Sequence, residues 1–151
     1  MMKKYLALIA VVCLIFSCDD RTVSTIPYAT VRFELDLNFQ DNALKAKLAY
    51  KTFTATNPNS DERFGYAGLL IVNGIGEGLV NLYAYDLACP VEVPERVRIQ
   101  PNASGLTAHC PKCGSVFDIA YGRGTPQSGT KLILRTYRVG DLGNYRYLVS
   151  N

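Results

Sequence analysis

The chain has 151 residues, with 16 basic and 13 acidic side chains and a net charge of +3, a length that suits one domain with its own core. It carries neither a basic cluster nor a basic helix with interleaved aromatics, so nothing in it recruits nucleic acid. With one histidine no Ser-His-acid arrangement can be argued beyond coincidence, and the carboxylates are scattered, so the chain reads as a non-enzyme.

Lys3 and Lys4 precede an apolar run from Tyr5 to Phe16. That run is shorter than the roughly 20 apolar residues of a spanning helix, and it has the charged start and apolar middle of a secretory signal. Its end, Leu14-Ile15-Phe16-Ser17-Cys18, resembles a bacterial lipobox. The resemblance implies a signal peptide over residues 1–17, cleavage before Cys18 and lipid on the Cys18 thiol. The expected location is the bacterial cell envelope, with Cys18 anchoring the chain to a membrane on its periplasmic or surface-facing side. Losing Lys3 and Lys4 leaves the basic residues ahead of the acidic ones by a single charge. Of five cysteines, Cys13 leaves with the signal and Cys18 takes the lipid. Cys89, Cys110 and Cys113 remain, an odd number that cannot all pair in an oxidising compartment.

From Cys18 to Ala29 the chain reads as a polar, Pro-containing tether. Residues 30–151 then read as one nearly all-β domain. Val31, Phe33, Leu35, Leu37 and Phe39 alternate with polar residues at the period of a half-buried strand. Asp41 to Lys51 has room for one helical turn through Leu44 and Leu48. Ala67 to Val72 and Leu79 to Leu87 read as core strands joined by Asn73-Gly74-Ile75-Gly76-Glu77-Gly78. A phosphate loop opens a helix; this glycine-rich stretch runs into Leu-Val-Asn-Leu-Tyr-Ala-Tyr, so it reads as a hairpin. Further strands are expected at Arg96 to Gln100, Leu106 to His109, Ser115 to Ile119, Lys131 to Val139 and Tyr145 to Val149. Asn102-Ala103-Ser104 fits a glycosylation sequon and marks an exposed turn.

The chemistry concentrates in Cys89-Pro90 and, 20 residues on, in Cys110-Pro111-Lys112-Cys113-Gly114-Ser115-Val116-Phe117-Asp118. The pattern resembles the Rieske iron–sulfur family, and most closely the Rieske-like lipoproteins of Bacteroidetes. In that family one loop carries Cys-x-His and the other Cys-x-x-His-Gly-Ser with an aromatic and often Asp after it. Cys89, Cys110, Gly114, Ser115, Phe117 and Asp118 match; the two histidine positions hold Val91 and Cys113. Tyr83-Ala84-Tyr85-Asp86 resembles the strand that leads into the first loop, and Gly122 to Gly129 resembles the Gly/Pro-rich loop that covers the cluster. The likeness covers roughly Gly65 to Val149. It implies an antiparallel β sandwich with a small two-loop subdomain at one tip, over about residues 86–129.

Three thiols admit several chemistries. A Rieske [2Fe–2S] centre gives one iron two thiolates and the other two imidazoles. By the resemblance, Cys89 and Cys110 hold the first iron and Cys113 faces the second, while Val91 supplies nothing and Glu92 offers only proximity. His109 is expected to point away from Cys110, because strand neighbours face opposite sides. Zinc suits thiolates but takes four closed ligands in structural sites, and Cys89 has no second donor beside it, so zinc ranks lower. Cys110-x-x-Cys113 lacks the helix N-terminus that activates redox dithiols. The expected state is a site without stoichiometric iron, with Cys89 and Cys110 bonded or near bonding geometry. The domain is accordingly expected to be a binding or structural module, with an unidentified protein partner; the alternative is an electron-transfer protein carrying a modified [2Fe–2S] cluster.

Overall fold

Every residue of Leu69–Asn73 is buried, because the strand is covered on both faces and alternation sends its side chains to two different cores. Leu69 and Ile71 enter one core with Phe33, Leu35, Phe64, Ala84, Tyr137 and Val149. Leu70 and Val72 enter another with Tyr85, Leu87, Ile99, Phe117, Ile119 and Leu134. The computed structural model describes residues 23–54 and 61–151. The signal segment, Cys18 and the first residues of the tether lie outside the described residues.

The strands are β1 (Val31–Asp36), β2 (Tyr50–Phe53), β3 (Arg63–Phe64), β4 (Leu69–Asn73), β5 (Leu82–Asp86), β6 (Gln100–Pro101), β7 (Thr107–His109), β8 (Val116–Asp118), β9 (Pro126–Ser128), β10 (Thr136–Gly143) and β11 (Arg146–Ser150), with a 3-10 turn at Asn42–Lys45. They form a seven-stranded sheet in the order β2-β4-β5-β10-β11-β1-β3 and a four-stranded sheet in the order β6-β7-β8-β9. The fold is all-β and antiparallel, as the alternating pattern implies. The first core draws on strands all along the larger sheet, so that sheet curls around it. Phe33 anchors it, with ring centroids 4.4 Å from Phe53 and 5.0 Å from Phe64. The smaller sheet lies against the other face of β4 and β5, where the second core forms.

Several expected boundaries shift. β1 stops at Asp36 and Phe39 is 75 % exposed. The buried Asp41 carboxylate accepts from the Asp36 N–H at 3.0 Å and from Lys51 Nζ at 2.8 Å, which closes a turn where alternation suggested more strand. Leu44 is buried within the 3-10 turn, whereas Leu48 lies beyond it with φ of 62°. The Asn73–Gly78 segment is the expected hairpin, pairing Ile71 with Ala84. The buried Asn73 amide braces it, donating to the carbonyls of Lys45 and Leu79 and accepting from the Asn81 N–H. β10 starts at Thr136 rather than Lys131, because Leu134 is drawn into the second core and its N–H donates to the Gly124 carbonyl.

The end of the expected tether is docked. Ile26 is 1 % exposed and packs with Ala67 and Ala88. The Thr25 hydroxyl donates to the Pro90 carbonyl, and the Arg135 guanidinium donates to the Ile26 carbonyl at 2.9 Å. One aliphatic side chain in a polar stretch suffices to seat it beside the first cysteine loop.

Two phenols give the fold a pH dependence. Burial, with smaller effects from neighbouring charges, raises the Tyr85 hydroxyl well above its ordinary range. Burial and then the Asp86 charge raise that of Tyr137. Above about pH 10 the unfolded chain releases phenolic protons that the native state retains, so stability is full below that value and falls as pH rises. Urea midpoints measured from pH 8 to 11 should fall, most steeply above pH 10; a flat profile would contradict this burial.

Candidate metal centre

The site begins with a carboxylate. Asp86 ends β5 fully buried, and it accepts from the N–H groups of Tyr66 (2.6 Å), Ala67 (3.1 Å) and Ala88 (2.8 Å) and from the Tyr137 hydroxyl (2.7 Å). Four donors satisfy a buried charge and fix the backbone that runs through Leu87 and Ala88 into Cys89.

Two hairpin tips follow. In the first, Ala88 bridges to Arg98 and the Cys89 N–H donates to the Val97 carbonyl at 2.8 Å, closing a loop that holds Pro90, Val91 and Glu92. The second lies between β7 and β8, where the Cys110 N–H donates to the Ser115 carbonyl at 2.9 Å and the Gly114 N–H to the Cys110 carbonyl at 3.0 Å. Gly114 turns this tip at a φ of 72°, a backbone that favours glycine. Lys112 ties the tips together through Glu92 at 2.8 Å and Glu95 at 2.5 Å. These exposed pairs orient the loops more than they stabilise them. Gly129 covers the second tip so closely that a Cβ there would sit 2.8 Å from the Ser115 Cα.

The three sulfur atoms of Cys89, Cys110 and Cys113 lie within 4.8 Å of one another. Two are buried and Cys113 is partly exposed. All three are free thiols. The expected bonded or near-bonding pair of Cys89 and Cys110 lies within a triangle of three close thiols, in which the Cys89 and Cys113 sulfurs are 3.7 Å apart, beyond the roughly 2.05 Å of a disulfide. Burial pushes the Cys89 thiol up to about 12, against the pull of the Val91 and Glu92 N–H groups that reach its sulfur. Burial also raises Cys113, but hydrogen bonds from the Ser115 hydroxyl and N–H and from the other two thiols outweigh it and bring Cys113 below its ordinary value. The Ser115 hydroxyl is buried 3.2 Å from that sulfur. Cys113 should therefore react with iodoacetamide well before Cys89 and Cys110, since it alone of the three is partly exposed and its thiolate is favoured. Peptide mapping of partially alkylated protein checks this, and equal labelling of all three would contradict it.

His109 stands apart from the triad. Its ring Nδ1 lies 3.1 Å from the Asn102 side-chain oxygen, on the turn that joins β6 to β7. Val91, at the first histidine position of the Rieske pattern, is 40 % exposed and offers no donor. Glu92 points its carboxylate at Lys112. Sequence reasoning missed Asp86, Thr25 and the Lys112 clamp. The Asp before a core-strand end was visible, but its partners stand 2, 19, 20 and 51 residues away.

An antiparallel β scaffold that presents three thiols at one point from two hairpin tips is placed to hold a metal ion or cluster. No protein-family model matches the chain, and a search of curated proteins finds no match.

Proposed function

We propose that this chain is a lipid-anchored module of the bacterial cell envelope that keeps a Rieske-like scaffold as a binding or structural unit, not as an ordinary Rieske electron carrier. The observation that carries the reading is the donor set. A Rieske centre draws its potential and proton coupling from two imidazoles on one iron, whereas here one histidine position is the partly exposed Val91, the other is a third thiol, and the sole histidine is turned to Asn102. The residues do not fit the family's cluster, which needs two donors on each iron.

The anchor belongs to the same reading. The described chain begins at Val23 and is already docked at Thr25 against Pro90, beside Cys89. Only the short stretch from Cys18 to Ser24 then separates the lipid from the first tip, about 25 Å when fully extended. On this reading the first tip lies no further than about 25 Å from the lipid. The test is anaerobic purification of the membrane-extracted protein, followed by visible spectroscopy and iron and acid-labile sulfide determination, alongside the Cys18→Ser variant. No Rieske-type spectrum, less than stoichiometric iron, and release of the variant from the membrane fraction are expected. Two irons with sulfide per chain would restore electron transfer, and unchanged membrane partition of the variant would remove the anchor.

A further inference from the structure

Resting on the reading that the site is no Rieske cluster, we propose that the three thiols form a binding site for one soft closed-shell metal ion, copper(I), bound by Cys89, Cys110 and Cys113. A planar three-thiolate site with metal–sulfur bonds of about 2.3 Å spaces its sulfurs about 4.0 Å apart. The Cys89 and Cys113 sulfurs are 3.7 Å apart and no pair exceeds 4.8 Å, so small side-chain movements bring all three onto one ion.

The number of donors selects the ion. Thiolate-only sites favour copper(I), zinc and iron–sulfur clusters. A two-iron cluster lacks its fourth donor, as shown above. Structural zinc is closed by four protein ligands, and among the described residues the group that converges here is three cysteines alone. Copper(I) is satisfied by three thiolates in a plane.

The surroundings suit a bound thiolate cluster. The N–H groups of Val91 and Glu92 reach the Cys89 sulfur, and those of Ser115, with its hydroxyl, reach the Cys113 sulfur. Such outer partners orient ligands and spread their negative charge. Cys89 and Cys110 are buried in the second core while Cys113 is partly exposed, so the ion enters past Cys113. Binding is ligand exchange without oxidation or reduction: three S–H bonds release three protons to solvent, three Cu–S bonds form, and the site carries two net negative charges.

The test is an anaerobic titration of the full membrane-extracted chain with copper(I) against a chromophoric copper(I) chelator. Parallel titrations use zinc(II) alone and iron with sulfide. One copper per chain is expected, with the ultraviolet thiolate-to-metal band saturating at one equivalent. Cys113→Ser, at a partly exposed position, should weaken the site about tenfold or more, while His109→Ala should leave it unchanged. Circular dichroism confirms that each variant is folded. Failure to bind copper, tighter retention of zinc, or loss of copper in His109→Ala would overturn the copper assignment while leaving the envelope-module reading in place. Assembly of two irons with sulfide would overturn both.

Discussion

Asp86→Ala should cost about 3–5 kcal/mol, because it strands four buried donors that one carboxylate now satisfies. Against a total stability of about 5–15 kcal/mol for a domain, that loss removes about a fifth or more of what holds the protein folded. Asp86→Asn should cost less, about 2 kcal/mol. The amide oxygen can keep the Ala67 and Ala88 N–H groups, but its NH2 then faces the Tyr66 N–H, donor to donor. The rotatable Tyr137 hydroxyl can turn to accept. Urea denaturation of both variants gives the order; a wild-type midpoint for the alanine variant would show that the network carries little.

Phe117→Ala should be almost as damaging, at about 3–5 kcal/mol for emptying a fully buried aromatic site. Phe117 sits in β8 opposite Ala108 of β7, and its side chain packs in the core that contains Cys89 and Cys110. Removing it should loosen the smaller sheet from the larger one. The damage should reach the thiols: Cys89 and Cys110 should become as reactive towards iodoacetamide as Cys113 in the variant, with the far side of the large sheet still protected in hydrogen exchange. Unaltered thiol reactivity together with a small stability loss would mean that the second core does not hold the tips in place.

Much of this was legible in the residues. Val31, Phe33 and Leu35 announce a strand with one buried face, and Leu69 to Val72, apolar throughout, announces one covered on both. The convergence of Cys89, Cys110 and Cys113 followed from their place in two turn-forming loops, Cys-Pro and Cys-Pro-x-Cys-Gly. What escaped was set by long-range contacts. Ile26 is held by Arg135, 109 residues away, so no local pattern reveals that the tether is docked. The end of β1 depends on the Asp41 side chain folding back on Asp36, which a purely alternating pattern does not register. The place of Cys113 is a related case: spacing along the chain brings two loops together but does not say that the third sulfur comes within 3.7 Å of Cys89.

X-ray absorption at the copper edge of the copper(I)-loaded protein tests most directly whether the three thiols make one coordination sphere. The account predicts a single shell of three sulfur neighbours at about 2.3 Å, with no nearby metal scatterer, and fewer sulfurs in Cys113→Ser. A shell of nitrogen neighbours, or a second metal atom close to the first, would contradict it.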